Sequence, residues 1–194
     1  RQEIVLGKGG VRLLRALDLR PAVHHLNEGH AALAGLERIS HLLRDDGLTF
    51  DEAREVVRAT TAFTTHNPVA AGHDCFHPDL MRRYFADVES WIGIPWDRFW
   101  ALGTRADASE VFNMTGLAIN LAQFVNGVSA IHRWAPRELL APFWPSRLPH
   151  EVPIAGITNG IDLGTWTHRD MGALLGVADR AAMGDDFRRR ADGI

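Results

Sequence analysis

Lysine is almost missing from this sequence: Lys8 is the only one among 21 basic residues, and the rest are arginine. Any chemistry that needs a Schiff-base or phosphate-binding lysine must use Lys8 or come from elsewhere. Cysteine is equally scarce. The single Cys75 excludes an internal disulfide and any multi-cysteine metal site, which points to a reducing compartment, the cytoplasm. No apolar run approaches the roughly 18 residues of a membrane span. A large excess of either charge is also missing. With a formal charge of -3 and arginines scattered except at Arg188-Arg189-Arg190, no basic face is offered to nucleic acid or an anionic membrane. The chain opens on Arg1-Gln2-Glu3 without a start methionine or a signal-peptide pattern, and it reads as a piece of something longer.

What is present is ordinary globular material: 194 residues, 46% hydrophobic and 23% charged, enough for one sizeable core or two small ones. Residues from Gln2 to Leu17 carry helical spacing loosened by glycines. Ala22 to Leu26 reads as a buried strand, with Asn27 as N-cap of a periodic helix from Ala31 to Leu43 that stops at Gly47. Thr49 opens a further helix with Glu52 at capping-box distance. Thr60 to Thr65 is β-branched and aromatic, a second strand. A long loop runs from Asn67 to Pro78, and its length argues for function, since structureless loops of roughly twelve residues are uncommon in compact domains. Helices are predicted over Asp79 to Trp91 and Pro95 to Leu102. Another runs from Asn113 through Ala122, ended by Asn126-Gly127, and a last one surrounds Glu138. Ile154 to Ile157 is a third strand, and the tail from Arg169 reads as polar helix. Strands separated by helices predict an α/β fold with a parallel sheet and helices on both faces.

Three polar clusters then fall at the carboxyl ends of three strands: Asn27, Glu28 and His30; His66 and Asn67; Thr158 and Asn159. That edge is where open α/β sheets bind ligands. His66 and Asn159 are compatible with binding a polyol, whose hydroxyls need partners that both donate and accept, and equally with a turn role. Of the ten histidines, none shows zinc-helix spacing, and His24 and His25, adjacent on a strand, face opposite sides; no metal site is expected. Leu6-Gly7-Lys8-Gly9-Gly10 lacks the preceding strand and the following Ser/Thr of a phosphate loop. Asn113-Met114-Thr115 matches a glycosylation sequon by chance. Cys75 and Ser129 have no base nearby in sequence and read as structural, and the six tryptophans read as core.

Five motifs in one order carry a resemblance. They are His25-Leu26-Asn27-Glu28-Gly29-His30-Ala31-Ala32; Thr64-Thr65-His66-Asn67-Pro68-Val69 with Ala71-Gly72-His73-Asp74; Phe112-Asn113-Met114-Thr115; Val125-Asn126-Gly127-Val128-Ser129 with His132; and Thr158-Asn159-Gly160-Ile161 with Thr165-Trp166. From about Gln2 to Leu175 the chain resembles the α-glucan (glycogen/maltodextrin) phosphorylases, residues 170–194 matching poorly. The resemblance implies an internal fragment of the N-terminal Rossmann-like domain of a glycosyltransferase-B fold, all of 1–194 being part of that domain. It implies transfer of a terminal glucosyl unit from an α-1,4-glucan or maltodextrin to phosphate, giving glucose 1-phosphate with retention.

By the same match, His66 would be the catalytic contact and, with Asn159, would touch the glucosyl unit near its 6-hydroxyl. The His66 carbonyl would lie near the developing oxocarbenium charge. Asn27, Glu28 and His30 would line the adjoining substrate wall. The family's cofactor, pyridoxal 5′-phosphate, is implied, but its lysine and the phosphate-binding residues lie outside this segment, so no cofactor-binding residue is expected here. The implied partners are the C-terminal domain and, for the full-length enzyme, a homodimer mate. The fragment alone is expected to be inactive. Asn67 departs from the family, where threonine is common after the histidine, and so does Lys8, where an apolar residue is usual. Rival readings are a sugar-nucleotide glucosyltransferase of the same fold, a non-catalytic fragment or weak glucan-binding module, and a metal-dependent hydrolase.

Overall fold

Six strands organise the chain in the computed structural model, which describes residues 1–105 and 110–174. They are β1 His24–Asn27, β2 Thr61–Thr65, β3 Cys75–Phe76, β4 Phe112–Asn113, β5 Phe124–Gly127 and β6 Ile154–Gly156. Four of them form one parallel sheet in the order β1-β2-β5-β6, with Leu26 opposite Phe63 and Phe63 opposite Val125. The connections run through helices, and the α/β class with a helix-flanked parallel sheet is as expected. β3 and β4 form a separate antiparallel pair. The chain divides into two compact units, Arg1–Thr158 and a second that opens at Asn159. In the second unit the described helices are Leu163–Trp166 and Arg169–Leu174; the polar tail beyond residue 174 lies outside the described residues.

The first helical stretch is Gln2–Ile4, a π-helical turn Val5–Gly9, and Gly10–Ala16. A Cβ on Gly7 would stand 2.8 Å from the Ala34 nitrogen, so the stretch rests directly on the helix Leu33–Asp46. That helix buries Leu33, Leu36 and Ile39 completely or nearly so, and the next, Phe50–Ala59, begins with the predicted capping box between Thr49 and Glu52. Phe63 on β2 is wholly buried, worth about 2–3 kcal/mol of transfer free energy. Phe85, Trp91, Trp96, Phe99, Trp100 and Phe112 pack ring on ring, so the core reading holds for those tryptophans. Trp134 and Trp166 are exposed instead.

Four expectations are corrected. β1 is not a strand buried on all sides: it is the edge strand, and Leu26 is its one buried residue. Asn27 is not a helix cap; it ends β1, and the chain passes through a 3₁₀ turn, Gly29–Ala31, before the helix begins at Leu33. The helix from Met114 stops at Asn120, and the residues assigned to its end form β5 in the middle of the sheet. The predicted helix over Asp79 to Trp91 is two, Pro78–Phe85 and Val88–Ile92, and the long loop before it contains β3.

Candidate functional site

The carboxyl ends of β1 and β2 are neighbours in register, Asn27 opposite Thr64, so their continuations meet at one edge of the sheet. Glu28 follows Asn27 with φ 62° and ψ 173°, a backbone region nearly reserved for glycine. Its backbone N–H still donates to the Thr64 carbonyl at 2.9 Å, extending the ladder by one bond. Its side chain is 8% exposed and turns beneath the loop that leaves β2. There Oε1 accepts hydrogen bonds from the backbone N–H of His66 and from that of Asn67, the latter at 3.1 Å. Oε2 is buried without a hydrogen-bond partner. Gly29 is required next: a Cβ would lie 2.8 Å from the Thr115 nitrogen.

Around that carboxylate the exposed groups collect. The His66 ring is exposed, its Nε2 lying 3.4 Å from Asn27 Oδ1. His30 Nδ1 lies 2.7 Å from Asp74 Oδ2, and since an ionised carboxylate only accepts, the imidazole donates. The Asp74 carbonyl accepts from the Met114 N–H at 2.9 Å. His73 is buried with Nδ1 2.7 Å from Thr115 Oγ1. Burial lowers its pKa, with Glu28, the Asn67 backbone and Asp74 pulling the other way. Asn67 Nδ2 closes the loop on the Gly72 carbonyl at 3.3 Å.

A second polar line crosses the sheet just below. Thr64 Oγ1 donates to Asn126 Oδ1 at 2.8 Å, which uses its only proton, so His25 Nε2, 2.7 Å away, must be the donor to Thr64. Sequence reasoning gave neither His25 nor Thr64 nor Asp74 a place here. Register places Thr64 beside Asn126 only once β5 is recognised as a strand.

The predicted residues thus divide. Asn27, Glu28, His30 and His66 gather at one edge of the first unit, whereas Asn159 opens the second unit and is exposed. Asn113 caps the helix Met114–Asn120 by accepting from the Gly116 N–H at 3.0 Å. Cys75 Sγ accepts from Asn113 Nδ2, and burial raises its thiol pKa, which suits a structural residue rather than a nucleophile. Ser129 Oγ accepts from the His132 N–H at 2.9 Å, a turn contact.

Lys8 is packed against an aromatic ring. Its ammonium sits 3.5 Å over the Trp91 ring, and burial lowers its pKa while nearby Glu37 raises it. Glu37 is itself engaged by Arg12 at 2.7 Å and the Trp91 Nε1–H at 3.1 Å. Among the described residues no group of three or more His, Cys, Asp or Glu is placed to hold a metal ion. None of the described helices is long and apolar enough to cross a membrane.

The opposite, amino end of β1 holds a groove of about 600 Å³, lined by Arg15, Asp18, Arg20, His24, Arg38 and Asp45 among others. Its charges are largely spent on one another: Arg15 pairs with Asp45, and Arg20 with Asp18 at 3.3 Å. Arg38 donates to the Thr61 hydroxyl at 2.8 Å and to that of Thr60.

Several known proteins are similar to this chain. Maltodextrin phosphorylase of Thermococcus litoralis is 45% identical over 176 residues, covering 90% of this chain and 20% of that protein. Glycogen phosphorylase of Mycobacterium tuberculosis is 44% identical over 177 residues, 86% of this chain and 20% of that protein. A glycogen synthase of Anaeromyxobacter sp. is more distant, 28% identical over 184 residues, 90% of this chain and 34% of that protein. No protein-family model matches. The chain spans about a fifth of the length of the phosphorylases it matches, and it corresponds to a segment of the glycogen/maltodextrin phosphorylase family.

Proposed function

We propose that this chain forms the glucosyl-binding wall of an α-glucan phosphorylase of glycosyltransferase-B architecture. The observation that carries the reading is the meeting of Asn27, Glu28, His30 and His66 at the carboxyl ends of adjacent parallel strands, where α/β sheets bind ligands. The 45% identity to a maltodextrin phosphorylase supports the substrate class.

In this reading His66 contacts the terminal glucosyl unit of an α-1,4-glucan near its 6-hydroxyl. Asn27 and His30 line the neighbouring wall. Exposed amide and imidazole groups suit sugar hydroxyls because they offer both hydrogen-bond donors and acceptors. The transfer breaks the bond from the glucosyl anomeric carbon to the glycosidic oxygen and joins that carbon to a phosphate oxygen. The proton lost by phosphate ends on the leaving oxygen, giving glucose 1-phosphate and a glucan shorter by one unit. The reading assigns pyridoxal 5′-phosphate and the phosphate-binding groups to residues outside this segment. A cytoplasmic, homodimeric enzyme is the setting this reading expects.

The test is a chimera in which this chain replaces the matching 176 residues of the Thermococcus litoralis enzyme. The expected result is glucose 1-phosphate from maltoheptaose and phosphate, with kcat/KM lowered about 10²-fold by His66→Ala. A folded chimera without phosphorolysis would sink the proposal. The glycogen synthase match favours a second reading, glucosyl transfer from a sugar nucleotide; it predicts glucan elongation by the chimera with sugar nucleotide and no need for phosphate.

A further inference from the structure

Glu28 carries three features that a wall residue touching substrate would not need. It occupies φ 62°, where a non-glycine residue is strained. It is 8% exposed, so its carboxylate is withdrawn from the surface on which Asn27, His30 and His66 are exposed. And Oε1 is committed to two successive backbone N–H groups, those of His66 and Asn67, while Oε2 is buried without a partner. Backbone strain and a half-satisfied buried carboxylate are both destabilising, so the conformation is held against a gradient by its surroundings. Gly29 against Thr115 on one side and the Glu28 N–H on the Thr64 carbonyl on the other leave the side chain one direction to point.

From this we infer that Glu28 is a positioning residue for the proposed glucosyl site and not a sugar ligand. Its carboxylate sets the orientation of the peptide that carries His66. The inference rests on the reading given under Proposed function. Two charge-assisted bonds to consecutive amides fix both the direction in which the chain leaves β2 and the rotation of the peptide between His66 and Asn67. The rest of the loop is fastened separately, by Asn67 on the Gly72 carbonyl, by His30 on Asp74 and by Met114 on the Asp74 carbonyl. Removing the Glu28 carboxylate therefore frees the His66 end of the loop while the far end stays docked. A site held this way meets its ligand without first ordering a loop, which is where preorganised sites gain affinity.

Amide hydrogen exchange and maltoheptaose titration by NMR on the full chain test this, with Glu28→Ala and the isosteric Glu28→Gln. In Glu28→Ala, exchange at His66 and Asn67 is expected to rise about ten- to a hundredfold, with Val125 in the sheet centre unchanged. Glu28→Gln keeps an acceptor oxygen and restores part of the protection. Maltoheptaose affinity falls in the same order, wild type above Gln above Ala. Unchanged exchange at both amides in Glu28→Ala overturns the inference. So does faster exchange with affinity untouched, because the clamp would then be structural only. If wild type binds no maltoheptaose, the glucan reading itself fails, and the exchange pattern still decides whether Glu28 holds the turn.

Discussion

The two ends of β1 and β2 handle buried charge in opposite ways. At the carboxyl end a carboxylate goes under the surface to hold two backbone amides, and the polar side chains of Asn27 and His66 stay exposed above it. At the amino end Arg38 reaches the hydroxyls of Thr60 and Thr61, which in turn donate to the carbonyls of Val56 and Val57 at the close of a helix. That arrangement finishes a helix terminus and leaves little polarity unspent. Polarity at a sheet edge marks a site when the buried group serves the backbone and the exposed groups are left to a ligand. Where buried groups satisfy each other, it marks only a well-made joint.

The most severe way to break this contrast is to remove what both ends share. Phe63→Ala in the middle of β2 is expected to cost about 3–5 kcal/mol, with both edges lost in one urea transition. Two separate transitions would mean that the ends belong to different folding units. Arg38→Met sharpens the contrast: it should cost about 1 kcal/mol and leave maltoheptaose affinity unchanged. A loss of affinity would bring the amino end into the site.

The amino end also carries a pH dependence. The pKa of His24 is lowered from 6.5 to about 4 by burial, with Arg38 adding to it. The folded state thus binds this proton less readily than the unfolded chain, so His24 leaves stability untouched above pH 6.5 and lowers it as the pH falls from 6.5 toward about 4. Tm measured across that window should decline less steeply in His24→Gln. The slope that remains comes in part from His41 and His73, whose pKa values burial also lowers. An identical slope in the variant would show that His24 is not the acid-sensitive group at that edge.

Much of this was legible in the sequence because the signals were local. Thr49 and Glu52 sit at the spacing their mutual hydrogen bonds require, and Thr61 to Thr65 has the composition of a strand. The helix expected to start at Asn113 starts there, with Asn113 as its cap. β5 was hidden because Leu117 to Val125 is nearly continuous apolar sequence, where periodicity cannot tell where a buried helix stops and a strand begins. Asn27 was misassigned because the same side chain suits a helix cap or a strand end, and only the 3₁₀ turn behind it decides. The set Asn27, Glu28, His30 and His66 was found from strand ends and family motifs. What could not be read was the inversion at Glu28, since nothing in a Glu-Gly pair announces a positive φ on the glutamate.

Lys8 has a consequence for the bench. It carries the only side-chain amine among these 194 residues, and its nitrogen lies over Trp91. Among these 194 residues an amine-directed label therefore has one side chain to attach to, and that side chain lies against the core. Acylation there discharges the ammonium, breaks the cation–π contact and leaves Glu37 to Arg12, His41 and the indole N–H. A reagent usually regarded as indiscriminate becomes, on this chain, a single-site probe with its own built-in fluorophore.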